Sequence, residues 1–313
     1  MKEETIWNAD EWCRQFREAV RTRDYFSLHD LRIQVYNHTL KTVAAGGYTL
    51  ANGAHVSLGL DNQPIVGARF YEKELAPDSG KTGRYETRVE VVEGDCLVVA
   101  RALAAEGEVC VLNLANRQNP GGGVCGGCGA QEEYLFRCSD YFRSLYQFAP
   151  YAEQYGVPAS REHCYPMDRN FGGIFSPEIT IFRDAEEKGY SLLEQPWKVN
   201  MIAVAAINRP ELEYTSDGEP RVAAHLVPAV KNKMRTIFRI ARDNEQTTLV
   251  LGALGCGAFR NPPAHTAELF RDVMLEPEFA GVFKHICFAI KNDHNAPGTG
   301  NYEPFAKVLN PTV

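Results

Sequence analysis

The stretch Asn113-Leu114-Ala115-Asn116-Arg117-Gln118-Asn119-Pro120-Gly121-Gly122-Gly123-Val124-Cys125-Gly126-Gly127-Cys128-Gly129-Ala130-Gln131-Glu132-Glu133 decides how the rest of the chain is read. It leaves an apolar run, 109–114, that reads as a strand, and it ends where a helical pattern begins. Six glycines in the nine positions 121–129 let a backbone take positive φ and approach a ligand closely, so that amides converge on an anion. The same glycines would also serve a tight strand-to-helix connection. The spacing has neither the Gly-Lys-Ser/Thr close of a P-loop nor the Gly-x-Gly-x-x-Gly of a dinucleotide fold.

A second loop, Gly252-Ala253-Leu254-Gly255-Cys256-Gly257-Ala258-Phe259, follows another apolar run, 247–252. Two glycine loops after two strands suit a pyrophosphate, because open α/β sheets bind ligands outside the carboxyl ends of their strands. Phe259 either fills the core or packs on a sugar or base. Further strands are expected at 88–92, 179–182, 199–205 and 285–290, and helices at 96–105, 131–148 and 228–242, with another opened by Asn261-Pro262-Pro263 and capped by Asn261. This alternation predicts an α/β fold, a mixed or mostly parallel sheet sandwiched by helices. Ahead of it, 10–21 and 28–45 have helical spacing, with Asp10 as a cap, Gly46-Gly47 as a stop and Asn52-Gly53 as a turn. A polar join at 77–83 then divides a helical extension, 1–80, from an α/β domain, 81–313.

Composition narrows the function. The 313 residues carry a net charge of -7 and a pI of about 5.7, so no overall field attracts nucleic acid or an anionic membrane. Any phosphate must be held by local geometry. No apolar stretch approaches the ~20 residues of a membrane span, and Met1-Lys2-Glu3-Glu4 opens no secretory signal, so a cytoplasmic location is expected. The nine cysteines are an odd count, several within apolar runs, which suits buried thiols in a reducing compartment.

Glu132 and Glu133 stand in the first turn of the expected helix, where acidic residues complement the dipole. Beside an anion-binding loop, however, two carboxylates oppose the ligand, and a role in protonating a glycosidic oxygen or orienting water would account for them. Cys125-Gly126-Gly127-Cys128 supplies half a zinc site and no second Cys-x-x-Cys exists, so the cysteines read as structural and no metal or cofactor is expected. Asp95, in Glu93-Gly94-Asp95-Cys96, is either a helix cap or a base-contacting carboxylate. His265, His285 and the cluster Asn292-Asp293-His294-Asn295 show no triad spacing and read as surface or capping residues.

Together these residues resemble the bacterial-type poly(ADP-ribose) glycohydrolases, which are built on a macrodomain. The family pattern is three glycines, six to eight residues, then Gln-Glu-Glu; here Gly121-Gly122-Gly123 is followed by seven residues and Gln131-Glu132-Glu133. The likeness extends through Asn113-x-Ala115-Asn116, Ile174-Phe175-Ser176-Pro177, Gly255-Cys256-Gly257-Ala258-Phe259-Arg260-Asn261-Pro262 and the leader ending at Gly46-Gly47-Tyr48. Ile207 departs from the proline usual in the family, and Cys125 and Cys128 are unusual within the loop. The resemblance implies a three-layer αβα macrodomain that releases ADP-ribose from poly(ADP-ribose) or ADP-ribosylated protein. It implies Glu133 as acid/base, Glu132 on a hydroxyl of the distal ribose, and Gln131 with them in the motif. Asn116 would position that ribose, Gly121–Gly123 and Gly255–Phe259 (Gly255, Cys256, Gly257, Ala258, Phe259) would hold the pyrophosphate, and Asp95 would contact adenine. The competing class is a non-catalytic reader of ADP-ribose, against which the intact glutamate pair weighs.

Overall fold

The computed structural model describes residues 6–60, 67–77, 83–292 and 300–310. The start of the chain, most of the join at 77–83 and residues 293–295 lie outside them. The helices are α1 (Ala9–Thr22), α2 (Tyr25–Ala45), α3 (Cys96–Leu103), α4 (Gln131–Cys138), α5 (Phe142–Leu145), α6 (Val227–Asp243), α7 (Pro263–Met274) and α8 (Tyr302–Leu309). The strands are β1 (Gly47–Thr49), β2 (His55–Ser57), β3 (Arg69–Tyr71), β4 (Arg88–Glu93), β5 (Cys110–Leu114), β6 (Gly173–Arg183), β7 (Leu192–Val204), β8 (Leu212–Tyr214), β9 (Pro220–Val222), β10 (Thr248–Leu251) and β11 (His285–Ile290). They form two compact units: a first of 1–67, 118–165 and 177–199, and a second of 68–117, 166–176 and 200–313. β6 and β7 contribute residues to both.

In the second unit the sheet runs in the order β3-β6-β7-β5-β10-β11-β4. β7, β5, β10, β11 and β4 pair in parallel, and β3 pairs antiparallel with β6 at the edge. Parallel strands are covered on both faces, which is why β11 is buried along its whole length and reads as a near-continuous apolar run. One face, with Leu112, Leu251, Ile286 and Phe288, packs on α6, α7 and α8, while α3 covers β5, β10 and β11. The helices α6 to α8 bind the sheet through a chain of rings, Phe238 to Phe270 to Phe288 to Phe305, with centroids 6.3, 5.2 and 5.7 Å apart. Such pairs add ~0.5–1.5 kcal/mol beyond the area they bury. The expected three-layer α/β fold is the one found.

The first unit joins the amino-terminal helices to the glycine-rich segment. Asn8, not Asp10, caps α1 through its side chain on the Glu11 amide, and Asp24 caps α2. Gly46 ends α2 in the left-handed region as expected, and Gly53 turns β1 back onto β2. α2 then packs against α4 and the turn at Val124–Gly126. A Cβ on Gly127 would stand 2.3 Å from the His29 carbonyl oxygen, so this contact needs glycine. Thr39 Oγ1 donates to the Arg137 carbonyl at 2.6 Å and accepts from Arg183 Nε at 2.9 Å.

The expected single helix over 131–148 is broken. Ser139 is extended, bonds its hydroxyl back to the Leu135 carbonyl at 2.6 Å and bridges Ile181, so the chain restarts as the short α5. The apolar positions still face inward, which is why periodicity alone ran through the break. Asn261 likewise does not cap α7; its amide donates to the carbonyls of Ile207, Gly255 and Phe259 instead, and Pro262 is the cap residue. His265 and His285 are buried at 4% and 6% exposure, contrary to the surface reading, and His265 Nδ1 accepts from the Val222 amide at 2.9 Å.

Arg32 pairs with Glu186 at 2.9 Å and both are largely buried. Burial raises the Glu186 carboxyl, but the Arg32 guanidinium outweighs it and holds the group below the ordinary carboxylate range. A carboxyl lowered by folding stabilises the fold above its unfolded value, ~4.3, and loses that contribution as pH falls through the folded value. Arg32→Ala is therefore expected to cost about 3 kcal/mol at neutral pH, because it strands a buried carboxylate. Denaturant unfolding at several pH values should show that the loss shrinks towards acid.

Candidate active site

Chain direction positions the site. α4 begins immediately after the glycine-rich turn, so its first-turn side chains point back at that turn, as helical side chains do. Gly121 and Gly122 take φ of 79° and 57°, bringing three successive amides round in a small arc. Gly121 N donates to Glu132 Oε1 at 3.1 Å, Gly122 N to the Asn119 carbonyl at 3.0 Å, and Gly123 N to Glu133 Oε1 at 2.8 Å. The positive end of α4 adds to the stabilisation of both carboxylates. Glu132 and Glu133 are 3% and 7% exposed, so the pair belongs to the interior rather than to a solvated first turn.

The two ends of Glu133 differ. Oε1 is fixed by Gly123, whereas Oε2 is buried and accepts no hydrogen bond among the described residues. A buried carboxylate oxygen left open costs desolvation free energy of ~1–3 kcal/mol or more, and catalytic groups are where such costs are found. The surroundings are aromatic. Tyr165 is buried near Glu132, and burial first, then Glu132, raises its phenol well above the ordinary value. Tyr151 is pushed up to about 12 by burial, with Cys125 and Glu132 adding to it. Both phenols stay protonated at neutral pH, which leaves them as donors. These tyrosines belong to none of the sequence motifs; Tyr151 and Tyr155, four apart and both ringed against Tyr146 at 5.4 and 4.5 Å, were the available signal.

Cys125 and Cys128 are free thiols. Burial and the neighbouring Glu133 raise the Cys128 thiol, and Cys125 Sγ lies 3.4 Å from the Tyr155 hydroxyl. Neither belongs to a group of three metal-capable side chains among the described residues.

Asp95, Asn116 and the second loop lie in the second unit, at the carboxyl-terminal end of its sheet. Asp95 follows β4, Asn116 follows β5 and Gly252–Phe259 follows β10, all at carboxyl ends of parallel strands. Asp95 caps α3, its Oδ1 accepting from the Leu97 and Val98 amides at 2.9 and 3.2 Å. Asn116 is partly exposed, while the neighbouring Arg117 donates to the Met167 carbonyl at 3.0 Å. In the second loop Gly255 has φ 76°, Cys256 is buried, and the amides of Gly257, Ala258 and Phe259 donate to no described residue. Phe259 is half-buried at the tip. Gln131 opens α4 beside the glutamates.

A mixed sheet between helical layers, with loops gathered at the carboxyl ends of its parallel strands, is a macrodomain-type architecture. The family described as microbial-type PARG, catalytic domain, matches residues 37–184. The crystal structure of poly(ADP-ribose) glycohydrolase from Thermomonospora curvata is similar at a TM-score of 0.70 and 31% identity, over 88% of this chain and 98% of that one. The same enzyme bound to the inhibitor ADP-HPD gives 0.68 and 30%, with the same coverage. A mutant of the Deinococcus radiodurans enzyme in complex with ADP-ribose gives 0.61 and 33%, over 78% of this chain and 94% of that one. No protein of curated function matches the chain by sequence. The chain belongs to the microbial-type poly(ADP-ribose) glycohydrolase family and is a glycosyl hydrolase of the ADP-ribosyl class, which sets the reader alternative aside.

The glycine arc makes a sharp demand at one position. A Cβ on residue 122 would stand 2.3 Å from Glu133 Oε1 and 3.2 Å from Glu132 Oε2. Gly122→Ala is expected to displace the carboxylate, lowering kcat by about a hundredfold or more, the range in which lost acid-base catalysis falls. Its cost in stability should stay near 1–2 kcal/mol, from strain at positive φ. Steady-state kinetics read beside thermal unfolding separate the two.

Proposed function

We propose that Glu133 is the acid/base of hydrolysis and acts through Oε2, with no metal in the step. The observation that carries this reading is the asymmetry of its carboxylate, one oxygen held by Gly123 and the other buried with no hydrogen bond among the described residues. As the bond from the anomeric carbon to the leaving oxygen breaks, the protonated carboxyl gives that oxygen its proton; water then adds to the carbon and returns a proton to Glu133. Glu132, held by Gly121, takes a hydroxyl of the distal ribose. The amides of Gly257, Ala258 and Phe259, which donate to no described residue, support the second loop as the pyrophosphate site, with Phe259 ordering the ribose. In the first loop the amides of Gly121, Gly122 and Gly123 are already spent within the protein, so its part towards the pyrophosphate rests on shape and backbone approach. Asn116 and Gln131 position the ribose end and Asp95 the adenine. Residues 1–80 act as an extension that braces the domain 81–313, a role supported by the bonds of α2 to Arg137 and Tyr146.

The substrate is ADP-ribose in conjugated form, either poly(ADP-ribose) or an ADP-ribosylated protein, and ADP-ribose is the product. No helix among the described residues is long and apolar enough to cross a membrane, and the cytoplasm is the proposed location. ADP-ribose is expected to raise the melting temperature by mass action, whereas adenosine, which lacks the pyrophosphate, should raise it little; equal shifts would remove the second loop from the ligand.

Glu133→Gln keeps shape and the bond to Gly123 but cannot transfer a proton. It should lower release of ADP-ribose from poly- and mono-ADP-ribosylated substrates by about 10²–10⁴, with ADP-ribose affinity kept or improved because a negative charge has gone. Undiminished turnover would exclude the assignment. Glu132→Gln should lose less in kcat and more in KM.

A further inference from the structure

β4 and β11 are parallel neighbours, with Cys287 opposite Glu90 and His285 opposite Arg88. Residues two apart on a strand share a face, so His285 and Cys287 point the same way, as do Arg88 and Glu90. A carboxylate oxygen of Glu90, a ring nitrogen of His285 and Sγ of Cys287 thereby lie within 4.8 Å of one another. His285 Nε2 is 2.9 Å from Glu90 Oε1, and Arg88 Nη2 holds the other oxygen, Oε2, at 2.5 Å. Cys287 is 1% exposed, whereas the Glu90 side chain is 26% exposed.

We propose that Glu90, His285 and Cys287 form a binding site for a divalent cation of the zinc class, completed by water on the open side of Glu90. Mixed nitrogen, sulfur and oxygen donors at ~2.0–2.3 Å from a tetrahedral ion stand roughly 3.4–3.6 Å apart, so the cluster contracts by about 1 Å, within the reach of side-chain rotation. The thiol selects zinc or cobalt over magnesium or calcium, which take oxygen ligands. Arg88 acts as an outer support that fixes the carboxylate and leaves Oε1 to the ion, and the exposed edge strand gives an entry path. On binding, Cys287 gives its proton to solvent, and the proton that His285 Nε2 shares with Glu90 Oε1 leaves as well, to solvent or to Nδ1, so that both atoms face the ion with a lone pair. His285 is the first residue of β11, about 16 Å along the strand from its carboxyl end. The ion therefore clamps the edge strand β4 to β11 rather than joining the chemistry.

The test uses the full chain with the exposed thiols removed by Cys125→Ser, Cys128→Ser and Cys164→Ser. Cobalt(II) is expected to bind at one equivalent with a thiolate-to-metal charge-transfer absorption, to be displaced by zinc(II), and zinc should raise the melting temperature. Cys287→Ala should abolish the absorption, and Glu90→Gln should weaken cobalt binding about tenfold or more. Cys110→Ala, at an equally buried cysteine on β5, should keep it, which separates loss of a ligand from damage to the core. Absence of the absorption in the parent, its survival in Cys287→Ala, or its loss in Cys110→Ala would each overturn the proposal and leave a hydrogen-bonded cluster only.

Discussion

Two amide-to-carboxylate bonds, Gly121 to Glu132 and Gly123 to Glu133, set the terms for everything around them. They bury two negative charges side by side, and they do so with the strongest compensation a backbone offers, charge-assisted bonds at a helix start. The arc that makes them exists because position 122 has no side chain. The protein thus uses its glycine loop first to orient its own carboxylates. A loop that reads in sequence as an anion cradle is in the fold a carboxylate cradle.

Holding α4 in register is the task of a buried cationic layer. Arg137 and Arg183, at 0% and 1% exposure, meet Tyr190 from two sides: Arg137 Nε donates to its hydroxyl at 2.8 Å, and Arg183 Nη1 to its carbonyl at 2.9 Å. Arg137 also donates to the Cys128 carbonyl at 2.7 Å, so the same side chain fixes the far end of the glycine turn. Burial pulls Arg183 down to about 10, still charged at neutral pH. Such a layer adds little net stability over an apolar one, but it admits few alternative packings, and the glutamates need a single one.

Strands and most helices were legible because parallel strands buried on both faces leave short apolar runs, and 285–290 was read to the residue. What escaped depends on partners distant in sequence. Ser139 breaks a helix whose apolar period is unbroken, since the competing bond is made by its own hydroxyl and the bridge by Ile181. β3, three residues long, is a strand only because β6 offers it an edge. Asn261 has the residue type of a cap and spends its amide elsewhere. In the site, the motif pointed to the residue pair and its neighbours, but the difference between the two oxygens of Glu133 is set by geometry that no spacing encodes.

Asn261 has two amide hydrogens, yet three carbonyls lie within reach: Ile207 at 2.8 Å, Gly255 at 3.1 Å and Phe259 at 3.3 Å. The shortfall falls on the longest contact. The base of the second loop is accordingly pinned to the segment after β7, while the Phe259 backbone is held, among the described residues, by a shared hydrogen and by one bond from the Arg209 amide, both to its carbonyl. A loop built this way behaves as a stiff arm with a compliant fingertip. Phe259 can shift without disturbing the base behind it, so stiffness and compliance are divided between neighbouring residues.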